Sequence, residues 1–258
     1  MSRFMQVVVV STGVFFSQSG LAAHPLITDD TGTQGRGKSQ IEANAEYAYD
    51  KEQISGITVK ATGTDAAMFL SYGVIDTADL VVGVPYQWHR EKRDGAITAR
   101  DSGISDISLD LKWRFFDDKN LSMALKPGIS IPVGDEDKGL GAGKTAYGSY
   151  LIITSSHDSW SHHFNLGYIR KENKHDERES VWHLSLATEY SLSEKIRIAA
   201  NIGTETNPDK SSDREPAFGL LGLIYSPQQN MDISGGVKVG LNDVETDLSV
   251  LAGATLRL

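Results

Sequence analysis

The sequence predicts an all-β fold: a transmembrane antiparallel up-and-down β-barrel of about twelve strands. Three observations predict it. From residue 40 to the last residue, apolar groups recur at every second position in segments of about ten residues, the period of a strand with one apolar face. The breaks between segments alternate short and long. Aromatic residues gather at the segment ends, and aliphatic ones fill the middles.

The elements before the first segment are different in kind. Arg3, the apolar stretch Val7 to Phe16 and the small-residue exit Gly20-Leu21-Ala22-Ala23 read as a signal peptide over residues 1–23. Its removal takes away Arg3 and moves the net charge from −9 to −10. Residues 24–39 are rich in Gly, Thr and Asp and read as a periplasmic tail or a plug folded into the barrel; the barrel itself spans 40–258. Within 24–39, Gly32 to Ser39 matches the phosphate-cradling pattern GxxxxGK[ST]. That pattern needs a buried strand before it and a helix after it. Here polar Thr28-Asp29-Asp30-Thr31 precedes it and the strand-like alternation of Ile41, Ala43, Ala45 and Tyr47 follows, so no nucleotide site is read. Gly143-Lys144-Thr145 is a second near miss.

The alternating segments follow in order. Their apolar members begin with Ile41 to Tyr49, Ala66 to Tyr72, Leu80 to Trp88 and Ile107 to Phe115. They continue with Leu121 to Ile131, Tyr147 to Ile153, Phe164 to Tyr168 and Trp182 to Tyr190, then Ile196 to Ile202, Leu221 to Tyr225, Ile233 to Leu241 and Leu248 to Leu258. Around 146–154 and 216–225 both faces are apolar or small, which leaves the phase open. Short breaks at 75–79, 116–120, 155–160, 191–194 and 226–230 read as periplasmic turns. Longer charged breaks at 50–64, 90–102, 134–144, 171–179 and 206–215 read as extracellular loops. The last strand, ending at Leu258, is the segment that barrel-insertion machinery would read.

If the apolar faces meet lipid, the opposite faces line the lumen. They carry Glu42, Glu46, His89, Asp106, Asp110, Lys112, Arg114, Lys126, His183, Glu189, Arg197, Glu205, Lys238 and Arg257. Acids and bases nearly balance there, so the row reads either as a salt-bridge network or as a polar track for a solute. Should residues 24–39 enter the lumen, Asp29 and Asp30 would face the basic patch of Lys112, Arg114 and Arg197.

Composition sets the remaining bounds. A 40% apolar fraction excludes a disordered chain, and the lack of cysteine excludes disulfides, thiolate zinc sites and thiol nucleophiles. The acidic balance excludes a general nucleic-acid binder. Mean hydropathy of −0.27 excludes only a helical membrane protein, because lumen-facing residues cancel lipid-facing ones in the average. No catalytic residue, metal site or cofactor is assigned.

His24-Pro25-Leu26-Ile27-Thr28-Asp29-Asp30-Thr31-Gly32-Thr33-Gln34-Gly35 opens a series of matches spread over nearly the whole mature chain. Tyr72-Gly73 with Asp76, Gly83-Val84-Pro85-Tyr86, Gly103-Ile104-Ser105-Asp106 and Pro132-Val133-Gly134 continue it. With these the chain resembles the outer-membrane family of the meta-pathway of phenol degradation. The resemblance implies a transporter or porin-like barrel in the bacterial outer membrane, for hydrophobic or aromatic compounds, and it brings no catalytic residues. The favoured reading is a channel that passes small solutes, with outer-membrane lipid, lipopolysaccharide and the solute as partners. A structural or adhesive barrel with acidic loops and a lipid hydrolase using His183 and Ser185 are the alternatives.

Overall fold

The computed structural model describes residues 24–54 and 56–258, so the segment read as a signal peptide lies outside the described residues. Among the described residues the chain forms one 13-stranded antiparallel sheet. The strands are β1 (Ser39–Ile54), β2 (Ile57–Ile75), β3 (Ala78–Arg93), β4 (Ala96–Ile104), β5 (Ile107–Asp118), β6 (Leu121–Ile131) and β7 (Ala146–His157). They continue as β8 (Trp160–Lys171), β9 (Ser180–Ser191), β10 (Ile196–Glu205), β11 (Ala217–Gln228), β12 (Met231–Gly240) and β13 (Leu248–Arg257). A short 3₁₀ turn, Glu136–Lys138, interrupts one loop.

Neighbours in sequence pair in the sheet, except that β4 and β5 both pair with β3, and β1 pairs with β13, so the sheet closes. Leu258 and Ser39 exchange backbone hydrogen bonds at the seam. The barrel has 12 staves, because β4 and β5 are one stave broken at Ser105 and Asp106. β4 pairs with the outer half of β3, through Tyr86↔Ile104, and β5 with its lower half, through Gly83↔Ser108. Closure leaves no free edge through the belt, which is what lets a sheet stand in a bilayer; toward the loops β4 keeps β3 as its one sheet partner.

The pattern of exposure is that of a membrane barrel. Leu70, Leu111, Leu125, Leu186, Ile202, Leu223 and Val250 face outward and are exposed, while Glu42, Lys112, Lys126 and Asn201 face inward and are buried. Outward aromatic pairs mark two rims. Tyr86 with Trp88 and Tyr168 with Trp182, at 4.4 and 4.7 Å between ring centroids, stand at one end; Trp160 with Tyr190, at 4.6 Å, stands at the other. Such girdles settle at headgroup depth.

Two of the expected long loops are different. Residues 50–64 and 90–102 continue as paired strand, with Ile54 opposite Ile57 and Arg93 opposite Ala96. The second ribbon turns at Asp94-Gly95, both at positive φ, the backbone that a two-residue hairpin turn requires. Beyond the apolar belt a strand pair needs no apolar face, so polar residues there mask a strand as a loop. Asp94 N–H donates to Thr58 O at 2.9 Å and Thr58 N–H to Asp94 Oδ1 at 3.0 Å, tying the ribbons together. The breaks at 132–145, 172–179, 206–216 and 241–247 are loops.

Candidate functional site

The site is the lumen, and its central feature is that the chain before β1 runs through it. His24 to Lys38 holds neither helix nor strand, only short turns and bends, and no helix follows the Gly32 to Ser39 pattern; β1 begins at Ser39. The segment touches inward residues on opposite walls. His24 Nδ1 lies 2.8 Å from Ser234 Oγ on β12. Ile27 and Thr28 N–H donate to Asn201 Oδ1 on β10 at 2.7 and 3.0 Å. The Asn165 amide on β8, oriented to satisfy both its atoms, accepts from Asp29 N–H at 2.6 Å and donates to Asp29 O at 2.9 Å. Thr31 N–H donates to Thr154 Oγ1 at 3.1 Å, and Gln34 N–H to Asp79 Oδ2 at 2.9 Å.

Glycines make the room. A Cβ on Gly222 would stand 2.2 Å from Pro25 Cγ, one on Gly236 2.9 Å from the same atom, and one on Gly253 2.5 Å from His24 Nδ1. These three, from β11, β12 and β13, form a notch that receives His24-Pro25. At the neck, a Cβ on Gly73 would fall 1.9 Å from Gly35 O. Leu26 fills an apolar patch on the inner wall made by Ala187, Ala199, Phe218, Leu220, Ile224 and Leu251.

The lumen residues named from sequence all lie on the inner face, and they fall into separate groups. Lys112 and Lys126 meet Asp29 of the segment, at 2.8 and 3.3 Å, and Lys112 also meets Asp30 at 3.6 Å. Arg114 and Arg197 do not reach these acids: Arg114 pairs with Asp117 at 3.3 Å, and Arg197 with Glu189 and Asp232 at 3.1 and 3.2 Å. Arg257 joins Asp232 at 2.6 Å, and His163 stands 3.5 Å from Glu189, which completes a network near the short turns. Nearer the loops, Lys238 pairs with Glu46 at 3.0 Å and with Glu245 at 3.6 Å. Burial raises the pKa of Glu245, a loop residue, against the pull of Lys238. His89 contacts Gln87, Glu42 accepts from Gln40, and Asp110 faces Gly128 across the β5–β6 pair.

Asp106 has another occupation. Its Oδ1 accepts from Gly134 N–H at 3.0 Å and its Oδ2 from Ala142 N–H at 2.8 Å, so it clamps loop 132–145 at the break between β4 and β5. His183 Nε2 is 2.9 Å from Ser185 Oγ, and its Nδ1 is 3.6 Å from Glu205; all of this lies inside the barrel.

Asn165, Asn201 and the notch glycines escaped the sequence reading. Their available signal was a polar or absent side chain on the inner phase of a strand. An outward hollow of about 580 Å³ on the opposite side of the wall, between Leu80, Leu109, Leu111, Ile129, Tyr147 and Tyr168, shares Asp110 and Gly128 with the groups above.

A family model described as "Putative MetA-pathway of phenol degradation" matches residues 22–258. No curated protein matches the sequence. Among solved structures, the COG4313 outer membrane channel from Pseudomonas putida F1 is similar, with a TM-score of 0.69 at 11% identity, over 89% of this chain and 98% of that one. The translocator domain of autotransporter NalP from Neisseria meningitidis has a TM-score of 0.56 at 12% identity, over 87% and 89% of the two chains. The KdgM porin has 0.57 at 10% identity, over 84% and 98%. At such identities the likeness concerns the fold.

Proposed function

The chain belongs to the family described as "Putative MetA-pathway of phenol degradation", and on that premise we propose that it is an outer-membrane channel for small solutes, closed by its own N-terminal segment. The observation that carries this reading is the course of His24 to Lys38 through the lumen, held from several walls by Asn165, Asn201, Lys112 and Lys126. A structural barrel could fill its interior with wall side chains alone. Here a separate strand of chain fills it, and three wall glycines accommodate that strand. Such a segment can leave without unfolding the barrel, because none of its residues belongs to the ring of strands. The polar inner wall and narrow bore suit a small solute, and the family description points to aromatic compounds. The short turns face the periplasm and the loops face outward. The His183–Ser185 pair serves the inner polar network in this reading, and no reaction is assigned to it.

Conductance of the purified barrel in planar bilayers tests this. Gly222→Ala places a methyl group against Pro25, an overlap that costs about 1–3 kcal/mol and raises the open fraction roughly tenfold. Gly235→Ala is the control, since its Cβ meets nothing closer than Leu251 O at 3.6 Å. Equal conductance from both variants and the parent would overturn the gating role.

A further inference from the structure

Two buried ammonium groups converge on one carboxylate, and that carboxylate sits on the segment rather than on the wall. Lys112 Nζ meets Asp29 Oδ1 at 2.8 Å and Lys126 Nζ meets Oδ2 at 3.3 Å, one oxygen to each lysine. Both lysines are almost wholly buried, at 1% and 2% exposure. Among the described residues every ion pair of these two lysines runs to Asp29 or Asp30. The neighbouring wall acids Glu42, Asp79 and Asp110 are not among those pairs; they temper the local charge from farther away. The wall therefore presents two positive charges whose close counter-ion arrives with the segment, in the geometry of a bound carboxylate ligand.

The surroundings add a shape. Tyr150 lies directly across the β6–β7 pair from Lys126, and Ile152 across from Ala124. With Ala146 and Ile169 they form a buried apolar cluster on the inner wall. An apolar surface that includes the Tyr150 ring thus lies beside Lys126 on the inner wall.

We propose that Lys112 and Lys126 form a binding site for the carboxylate of a small solute with a flat apolar body, an aromatic acid by class. Asp29 occupies that site as an internal surrogate while the segment is docked. This rests on the reading of the segment as a displaceable plug. Solute and Asp29 compete for the same two ammonium groups, so an arriving carboxylate both binds the wall and weakens the hold on the plug. An uncharged aromatic of the same size has no such leverage.

The test uses the full-length mature barrel in liposomes and planar bilayers at neutral pH, with benzoate as probe and benzyl alcohol as its uncharged analogue. Asp29→Asn is expected to raise benzoate flux roughly tenfold over benzyl alcohol flux, because a charge-assisted contact is freed for the solute. Adding Lys126→Met to that variant should return the ratio toward one. If Asp29→Asn raises both fluxes alike, the carboxylate site is wrong while the plug stands. If neither flux moves, and Gly222→Ala also changes nothing, the plug reading fails and the site falls with it. Wild-type barrel supplies a measurement independent of variant assembly: added benzoate should increase open probability and benzyl alcohol should not. Equal responses to the two overturn the surrogate role.

Discussion

At His24, burial sets the protonation state and thereby the strength of docking. The ring lies against Ser234 and Gly253, and desolvation pushes its pKa from 6.5 down to about 4, with Glu46 opposing by a smaller amount. Glu46 on β1 is the charged side chain that acts on it, while Asn44, Ser234 and Gly253 around it carry no charge; in a chain cleaved after Ala23 the α-ammonium of His24 itself pushes the ring in the same direction as burial. Docked, the ring is neutral at pH 7, and released into water it protonates near 6.5. A group whose pKa is depressed in the docked state supports docking fully above about 6.5 and loses that support as pH falls toward 4. The loss amounts to roughly 3 kcal/mol at the acid end. Conductance of the wild-type barrel is therefore expected to rise between pH 6.5 and 4, and His24→Asn to flatten that rise. A flat wild-type profile would remove His24 from the docking mechanism. His24 stood in the sequence as the first residue of a specific motif, yet its burial was not legible. That burial depends on Gly222, Gly236 and Gly253, which lie some two hundred residues away and signal nothing individually.

Among the elements, the stave broken into β4 and β5 shows how one side chain replaces a missing ladder. Where β6 ends at Ile131, the outer part of the stave loses its sheet neighbour, and loop 132–145 lies there instead. Asp106 holds that loop through Gly134 and Ala142, and Leu140 is buried beneath it. Asp106→Ala leaves two buried N–H groups without an acceptor, a cost of about 1–3 kcal/mol each. The expected result is rapid tryptic cleavage at Lys138 or Lys144 in an otherwise intact barrel, with Asp106→Asn intermediate. Resistance equal to the parent would mean that the loop is held by other contacts. The sequence showed Gly103 to Asp106 and Pro132 to Gly134 as motif pieces without saying that they meet. The two stretches of uncertain phase have a physical explanation here. At 216–225 the inner face is apolar because Phe218, Leu220 and Ile224 receive Leu26, and at 146–154 Tyr150 and Ile152 form a second inner patch. Alternation fails as a guide wherever both faces have something apolar to cover.

For the whole molecule, the decisive property is an inverted arrangement, apolar outside and polar within, and this was legible because it is written in every strand. Alternation, even strand count and paired aromatic rims each follow from immersion in a bilayer, so each could be read locally and all agree. The polar ribbons beyond the belt were not legible as strands, because water places no periodic demand on them. The inverted arrangement makes the cost of a charge depend on depth rather than on exposure. Leu186 lies midway along β9 between Trp182 and Tyr190 and is 49% exposed, while Leu192, just past Tyr190 in the short turn, is 56% exposed. In a water-soluble protein the two would tolerate Arg about equally. In a bilayer, Leu186→Arg sits near the midplane and costs about 2–4 kcal/mol, whereas Leu192→Arg at the interface costs about 0–1 kcal/mol. Reversible urea unfolding in phospholipid vesicles, followed by tryptophan fluorescence, measures both. Equal small losses would show that the belt through Leu186 does not face lipid, and a large loss confined to Leu186 places the bilayer centre at that residue.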